Sequence, residues 1–195
     1  MERIKMREKL QEKLPTKRYE HSLGVEYTAG TMAFIYGVDL EKSLIAGLLH
    51  DCAKYVPNDK KIAKCKKRGI PITDYELKNP ELLHAKLSAV YAKEKYGVED
   101  EEILSAIRSH TTGKPAMSTL DKIIYIADYI EPNRNILPDM EQIRKEAYKD
   151  LDVCLIHILR NCVNYLQKKG STMDPVTMET YNYYKNHTCL EEKNI

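Results

Sequence analysis

His50 and Asp51 stand side by side in LLHDCAKY, with His21 ahead of them and His84, His110 and Asp128 behind. Imidazole nitrogens and carboxylate oxygens are the donors that suit divalent iron, manganese or zinc. A few such side chains on one ion leave positions free for water or phosphate, which is the chemistry of metal-assisted hydrolysis. Two cations are placed to assist. Lys54 follows Asp51 by three residues and His50 by four, and Arg18 precedes His21 by three, so on a helix each cation shares a face with its neighbour. Neither is a good metal ligand; both suit phosphate oxygens. On a regular helix of about 3.6 residues per turn, His50 and Asp51 diverge by roughly 100°. Both then reach one ion only if it sits near that helix's C-terminal end.

Taken singly, these residues have plainer readings. A lone buried histidine is ordinarily a hydrogen-bonded core residue, and an arginine or lysine on a helix is ordinarily solvated. His157, inside the apolar run VCLIHIL, and His187 lack ligand context and read as structural. Asp128 resists the plain reading. It lies in IIYIADYIEPNR, a strongly apolar helix where an unpaired carboxylate is costly. It needs a cation.

The elements that must position these groups are all helices. Residues 2–13 form a charged amphipathic stretch before Pro15; Thr16 reads as the cap of a helix from about Lys17 to Tyr36, closed by Gly37. Asp39 caps the next, from Leu40 to about Lys54, with Leu44, Ile45, Leu48 and Leu49 on its apolar face. The basic segment KKIAKCKKRG gives a short helix ended by Gly69; its charge suits either a solvated surface or a polyphosphate. Asn79–Pro80 and Gly97 frame a helix around His84, and residues 100–109 make another that ends at His110. Ser118 with Asp121 forms a capping box for the helix of Asp128, which Pro132 closes. One long helix is predicted over much of 139–169, ended by Gly170, and Asp174–Pro175 opens the last. Apolar–polar alternation is nearly absent, so the fold class is all-α. One domain is predicted over residues 1–195, with a motif-bearing core at about 16–135 and C-terminal helices at about 139–190 folding back on it.

Composition narrows the setting. Hydrophobic residues are 43% and charged ones 31% of 195, a globular balance. The 31 basic and 29 acidic residues nearly cancel, so bulk charge gives no case for a nucleic-acid partner. The five cysteines (Cys52, Cys65, Cys154, Cys162 and Cys189) contain no C-x-x-C pair, which fits a reducing cytoplasm better than a disulfide framework. No apolar run is long enough to span a membrane, and the first residues lack the apolar stretch of a secretory signal. The apolar helix around His157 suits either the core or the interface of a homodimer.

With the motifs in order, the chain resembles the HD-domain metal-dependent phosphohydrolases. RYEHSLGV, AGLLHDCAKY, HAKLSA, IRSHTTG and IYIADYIEPNR together are similar to the YqeK-type HD proteins, symmetrical hydrolases of diadenosine tetraphosphate, from Arg18 to Arg134 and more weakly to about Tyr184. The resemblance implies that His21, His50, Asp51 and Asp128 hold one metal, iron in that family, with manganese, cobalt or zinc as substitutes. It implies that Arg18, Lys54, His84, His110, Thr111 and Arg134 face phosphate or ribose, with Asp51 and Asp128 also turned to the substrate. Asp51, Lys54, His84 and His110 are the expected catalytic groups, the last two as phosphate-binding imidazoles or as ligands of a second metal. The segment Ser171, Thr172, Met173, Asp174, Pro175, Val176 matches the place where the family's tail closes over the nucleoside. One departure is visible: Thr180-Tyr181-Asn182 replaces the family's usual Ala-Arg-Asn run. The implied reaction is metal-dependent cleavage of a dinucleoside polyphosphate into two ADP. Other readings stay open: an HD phosphohydrolase acting on nucleoside mono- or triphosphates or cyclic dinucleotides, or a nucleotide sensor that binds without cleaving.

Overall fold

Capping residues set most helix boundaries. The computed structural model describes residues 1–134, 137, 139–170 and 172–188, and among these there are helices and no strand. In chain order they are α1 (Arg3–Gln11), α2 (Thr16–Tyr36), α3 (Leu40–Leu49), α4 (Asn58–Lys67) and α5 (Asp74–Lys78). After a 3₁₀ turn at Pro80–Leu82 come α6 (Leu83–Tyr96), α7 (Glu101–Ser109), α8 (Thr119–Ile130), α9 (Met140–Ala147), α10 (Leu151–Lys168) and α11 (Pro175–His187). Asp39, Ser118 with Asp121, and Asp174 cap α3, α8 and α11 as their sequence positions predict. Gly37 and Gly97 close α2 and α6 in left-handed conformation.

Five features differ from the sequence reading. Pro80 opens the 3₁₀ turn, and α6 itself begins at Leu83. Thr16 is the first residue inside α2, with Pro15 at the cap. The short helix α5 was not predicted; Thr73 and Glu76 form its capping box. The helix expected over 139–169 is two helices, because the Asp150 carboxylate accepts the amides of Asp152 (2.8 Å) and Val153 (3.1 Å) and starts a new one. Most consequential, α3 stops at Leu49 instead of running to Lys54. The His50 Nδ1 lies 2.7 Å from the Gly47 carbonyl, the acceptor that a continuing helix would offer to the Asp51 amide. The Ala53 amide donates instead to Ser88 Oγ at 3.0 Å. The chain therefore leaves the helix in tight turns, and His50 and Asp51 escape the divergence a regular helix would impose.

Helix α2 lies along α3 and α8, α7 packs on α3, α6 and α8, and α10 joins α8 to α9 and α11. The α2–α3 contact is made at backbone distance. A Cβ on Gly47 would stand 2.9 Å from Glu26 Cα and 3.0 Å from the Val25 carbonyl. Val25, Ala29, Leu48, Leu49, Leu87, Ile107, Ile123, Ile124 and Ile126 fill the space between these helices and are fully buried. Each large aliphatic among them contributes ~1.5–3 kcal/mol by leaving water, against ~1 kcal/mol for a cap. Packing therefore holds the bundle, and caps decide where each helix begins. The buried Glu26 carboxylate is met by Arg3 at 2.6 Å and Arg7 at 2.7 Å, which ties α1 to α2. Among the described residues no helix is long and apolar enough to cross a membrane.

Candidate active site

Helix ends supply nearly every group. Arg18 and His21 sit in the opening turns of α2; His50 caps the C-terminus of α3, and Asp51 follows it in the turn. His84 lies in the first turn of α6, His110 caps the C-terminus of α7, and Asp128 occupies the last turn of α8. His21, His50, Asp51, His84 and His110 are all buried.

The outer nitrogens of the four histidines have fixed partners. His50 Nδ1 faces the Gly47 carbonyl and His110 Nδ1 the Ile107 carbonyl, each at 2.7 Å; His84 Nδ1 faces the Glu81 carbonyl. His21 Nδ1 is 3.0 Å from the buried carboxylate of Glu131. A neutral ring that gives its Nδ1 proton to such an acceptor is left with an unprotonated Nε2, and all four Nε2 atoms point inward.

Inside, acceptors crowd. Nε2 of His21 is 3.2 Å from Nε2 of His50 and 3.0 Å from Asp128 Oδ1. Nε2 of His84 is 3.1 Å from Nε2 of His110 and 3.2 Å from Asp51 Oδ1. That Asp51 oxygen is buried without a hydrogen-bond partner, while Asp51 Oδ2 lies 3.6 Å from His50 Nε2. Facing lone pairs and an orphaned carboxylate oxygen fit a cation between them, and the donors are of the N/O type that divalent iron, manganese or zinc accept. Three trios bring their ligand atoms within 4.8 Å of one another: His21, His50, Asp51; His50, His110, Asp128; and Asp51, His84, His110.

Electrostatics follow from burial and from this crowding. Burial pulls His50 down to about 4 and His84 to about 3, which keeps both rings neutral at pH 7. Burial pushes Asp51 upward, but the facing imidazoles, His50 first, and Lys54 outweigh it and hold the carboxyl well below the usual range. Asp128 is likewise held below that range, burial being outweighed chiefly by the His21 contact. Cations rim the cluster. Arg18 donates to Asp51 Oδ2 at 2.8 Å, Arg134 pairs with Asp128, and Lys54 Nζ stands 3.0 Å from His84 Nε2 and 3.8 Å from Asp51 Oδ1. Burial lowers the Lys54 pKa. Thr111 Oγ1 is 3.1 Å from Nε2 of both His84 and His110.

Beside Thr111 opens a cavity of about 600 Å³ whose wall includes Tyr75, Glu81, Tyr125, Tyr165, Thr172 and Asp174. The tail is fastened there by Tyr75 Oη, which donates to the Thr172 carbonyl at 2.6 Å. Met173, Pro175 and Val176 are not part of this wall; Val176 turns toward Arg108 and Ser109. Ser171, expected at the nucleoside, lies outside the described residues. In the departing Thr180-Tyr181-Asn182 run, Thr180 packs on Gly113, where a Cβ would come within 2.7 Å of its methyl group.

The other single residues expected at metal or phosphate lie in or at the rim of this one cluster; in the basic segment on α4, Lys61 instead bonds Asn58 at 2.6 Å and Arg68 pairs with Glu94 at 2.9 Å. His157 and His187 stay outside the cluster: His157 bridges Glu146 (2.7 Å) and Asp139 (3.1 Å), and His187 stacks on Tyr183. Glu131 is the residue sequence reasoning missed. It follows Asp128 by three residues and stands at the C-cap of α8.

An all-helical bundle whose buried histidines and aspartates converge from separate helix ends defines an HD-domain protein, and the HD domain model matches residues 18–133. A solved structure from Clostridium acetobutylicum, described as a predicted HD superfamily hydrolase involved in NAD metabolism, superposes with a TM-score of 0.93 at 42% identity, covering 96% of this chain and 99% of that one. Two relatives named symmetrical bis(5'-nucleosyl)-tetraphosphatase match across both chains. That of Bacillus subtilis is 42% identical over 89% of this chain and 92% of its own length; that of Halalkalibacterium halodurans is 41% identical over 92% and 93%. The chain belongs to the HD-domain family, in its branch of symmetrical bis(5'-nucleosyl)-tetraphosphatases.

Proposed function

We propose that this chain hydrolyses diadenosine tetraphosphate at the middle of its phosphate chain and releases two ADP. The observation that carries the reading is the orphaned, buried Asp51 Oδ1 among inward-facing imidazole nitrogens, with cations at the rim. His21, His50, Asp51 and Asp128 are the residues we assign to a divalent ion, and we propose iron as the resident metal. Such an ion lowers the pKa of a water and polarises a phosphoryl oxygen. Asp51 or Asp128 orients the water that adds to an inner phosphorus. The bond from that phosphorus to the bridging oxygen breaks, and the oxygen leaves on the second ADP. ADP is already a good leaving group, so Lys54, Arg18 and Arg134 act mainly by neutralising charge on the phosphates. One essential metal is the reading we favour. Lys54 already puts an ammonium in the corner formed by His84 and Asp51, which suits His84, His110 and Thr111 to phosphate binding.

The cavity beside Thr111 is our site for one nucleoside, on the strength of its three tyrosines and the fastened tail. Because core and tail share that wall, we treat the chain as one functional domain. The near-balance of charge favours a small dinucleotide over a polynucleotide, and four cysteines free of disulfides suit a reducing cytoplasm. Product chromatography tests the proposal. Wild-type protein with iron or manganese should convert diadenosine tetraphosphate to ADP alone, and Asp51→Ala should fall to background with an unchanged helical spectrum. AMP plus ATP as products, or near-wild-type turnover by Asp51→Ala, would refute it.

A further inference from the structure

A molecule split at its centre has two equal ends, and the cluster has room on both sides. The four imidazoles form a row, His21, His50, His110, His84, with neighbouring centroids 5.2, 4.9 and 5.0 Å apart. The tyrosine-lined cavity opens at the His84 end. At the His21 end lies a second cavity, of about 700 Å³, whose wall includes Pro15, Lys17, Arg18, Glu20, Asn133 and Arg134. Both volumes fall in the range of roughly 300–1,000 Å³ typical of small-molecule sites. Arg18 and Arg134 belong to this wall and also reach the cluster, through Asp51 and Asp128, so the second cavity is continuous with the place where phosphates would run. The two rooms differ in chemistry. The described residues lining the His21-side cavity include no tyrosine or phenylalanine, and, with His21 left aside, its cations outnumber its carboxylates: Lys17, Arg18 and Arg134 against Glu20 and Glu131.

We infer that this cavity receives the second nucleoside diphosphate half of the substrate, held through its phosphates while its base finds no aromatic partner. The inference rests on the dinucleotide reading above and adds a site for the other end. It also implies that the scissile bond lies over Asp51, whose two oxygens face the two halves of the row.

ADP, the product, is the probe. Titration calorimetry on the metal-loaded protein at physiological ionic strength should give two ADP per chain, one bound more weakly. Lys17→Glu is an exposed change in the first turn of α2 and favourable to the helix dipole, so it leaves the fold intact. It should weaken the second ADP by about tenfold or more through like-charge contact. The tighter site, at the far end of the imidazole row, should move by less than about twofold. Photolabelling with 8-azido-ADP should mark a peptide containing residues 15–20. A single ADP per chain, two sites that both ignore Lys17→Glu, or labelling confined to the tyrosine-lined cavity would overturn the inference. ADP count and label position need no turnover, so they are decided separately from whether diadenosine tetraphosphate is split.

Discussion

Each histidine of the centre has its ring orientation set from behind, three by the carbonyl three residues earlier and His21 by Glu131. Partners of this kind raise ligand basicity, and losing one typically costs about 10–100-fold in metal affinity. Glu131→Ala should therefore weaken metal binding by about that factor in a competition titration, although Glu131 would never touch the ion; unchanged affinity would remove it from the site. A second consequence concerns acid. His50 and His84 titrate near 4 and 3 when folded but near 6.5 when unfolded, so below pH 6.5 the unfolded chain binds protons that the native one refuses. The metal-free protein should lose stability steadily as pH falls from about 6.5 to 4, seen as a falling urea midpoint. His50→Gln should flatten that slope. The ligand types were readable from the sequence because nitrogen and oxygen donors carry their chemistry in their identity. Glu131 was not, because a carboxylate before Pro132 also reads as a helix terminus.

At the level of helices, closeness of α2 and α3 brings His21 onto His50. Gly47 permits it, with the neighbouring backbone only 2.9 Å from where a Cβ would stand. Gly47→Ala should cost about 1–3 kcal/mol by overpacking and should also weaken the metal, because the two helices cannot part without separating two of the proposed ligands. Asp150→Ala supplies the contrast. Losing that cap should cost about 0.5–2 kcal/mol and leave metal affinity unchanged, since α10 carries none of the proposed ligands. Thermal melts with and without metal distinguish the two cases. Caps such as Asp39 and the Ser118–Asp121 box were legible because they act within one turn. The early stop of α3 was not, because Ser88, distant in sequence, captures the Ala53 amide. The division at Asp150 was local and still missed, an aspartate in a run of helix formers being easily read as solvent-facing.

For the whole molecule, the bundle acts as a frame that carries donors from α2, α3, α6, α7 and α8 to one point. Periodicity and punctuation were enough to give an all-helical chain. They could not say that five helix ends meet, and the two cavities flanking the cluster leave no trace in any single segment because their walls come from residues far apart. The convergence itself is the claim to test. Crystals of the iron-loaded protein, measured on both sides of the iron absorption edge, should show anomalous density within bonding distance of His21, His50, Asp51 and Asp128 together. Density bound elsewhere, or bound to the His50–Asp51 pair while His21 and Asp128 stand clear of it, would contradict the account.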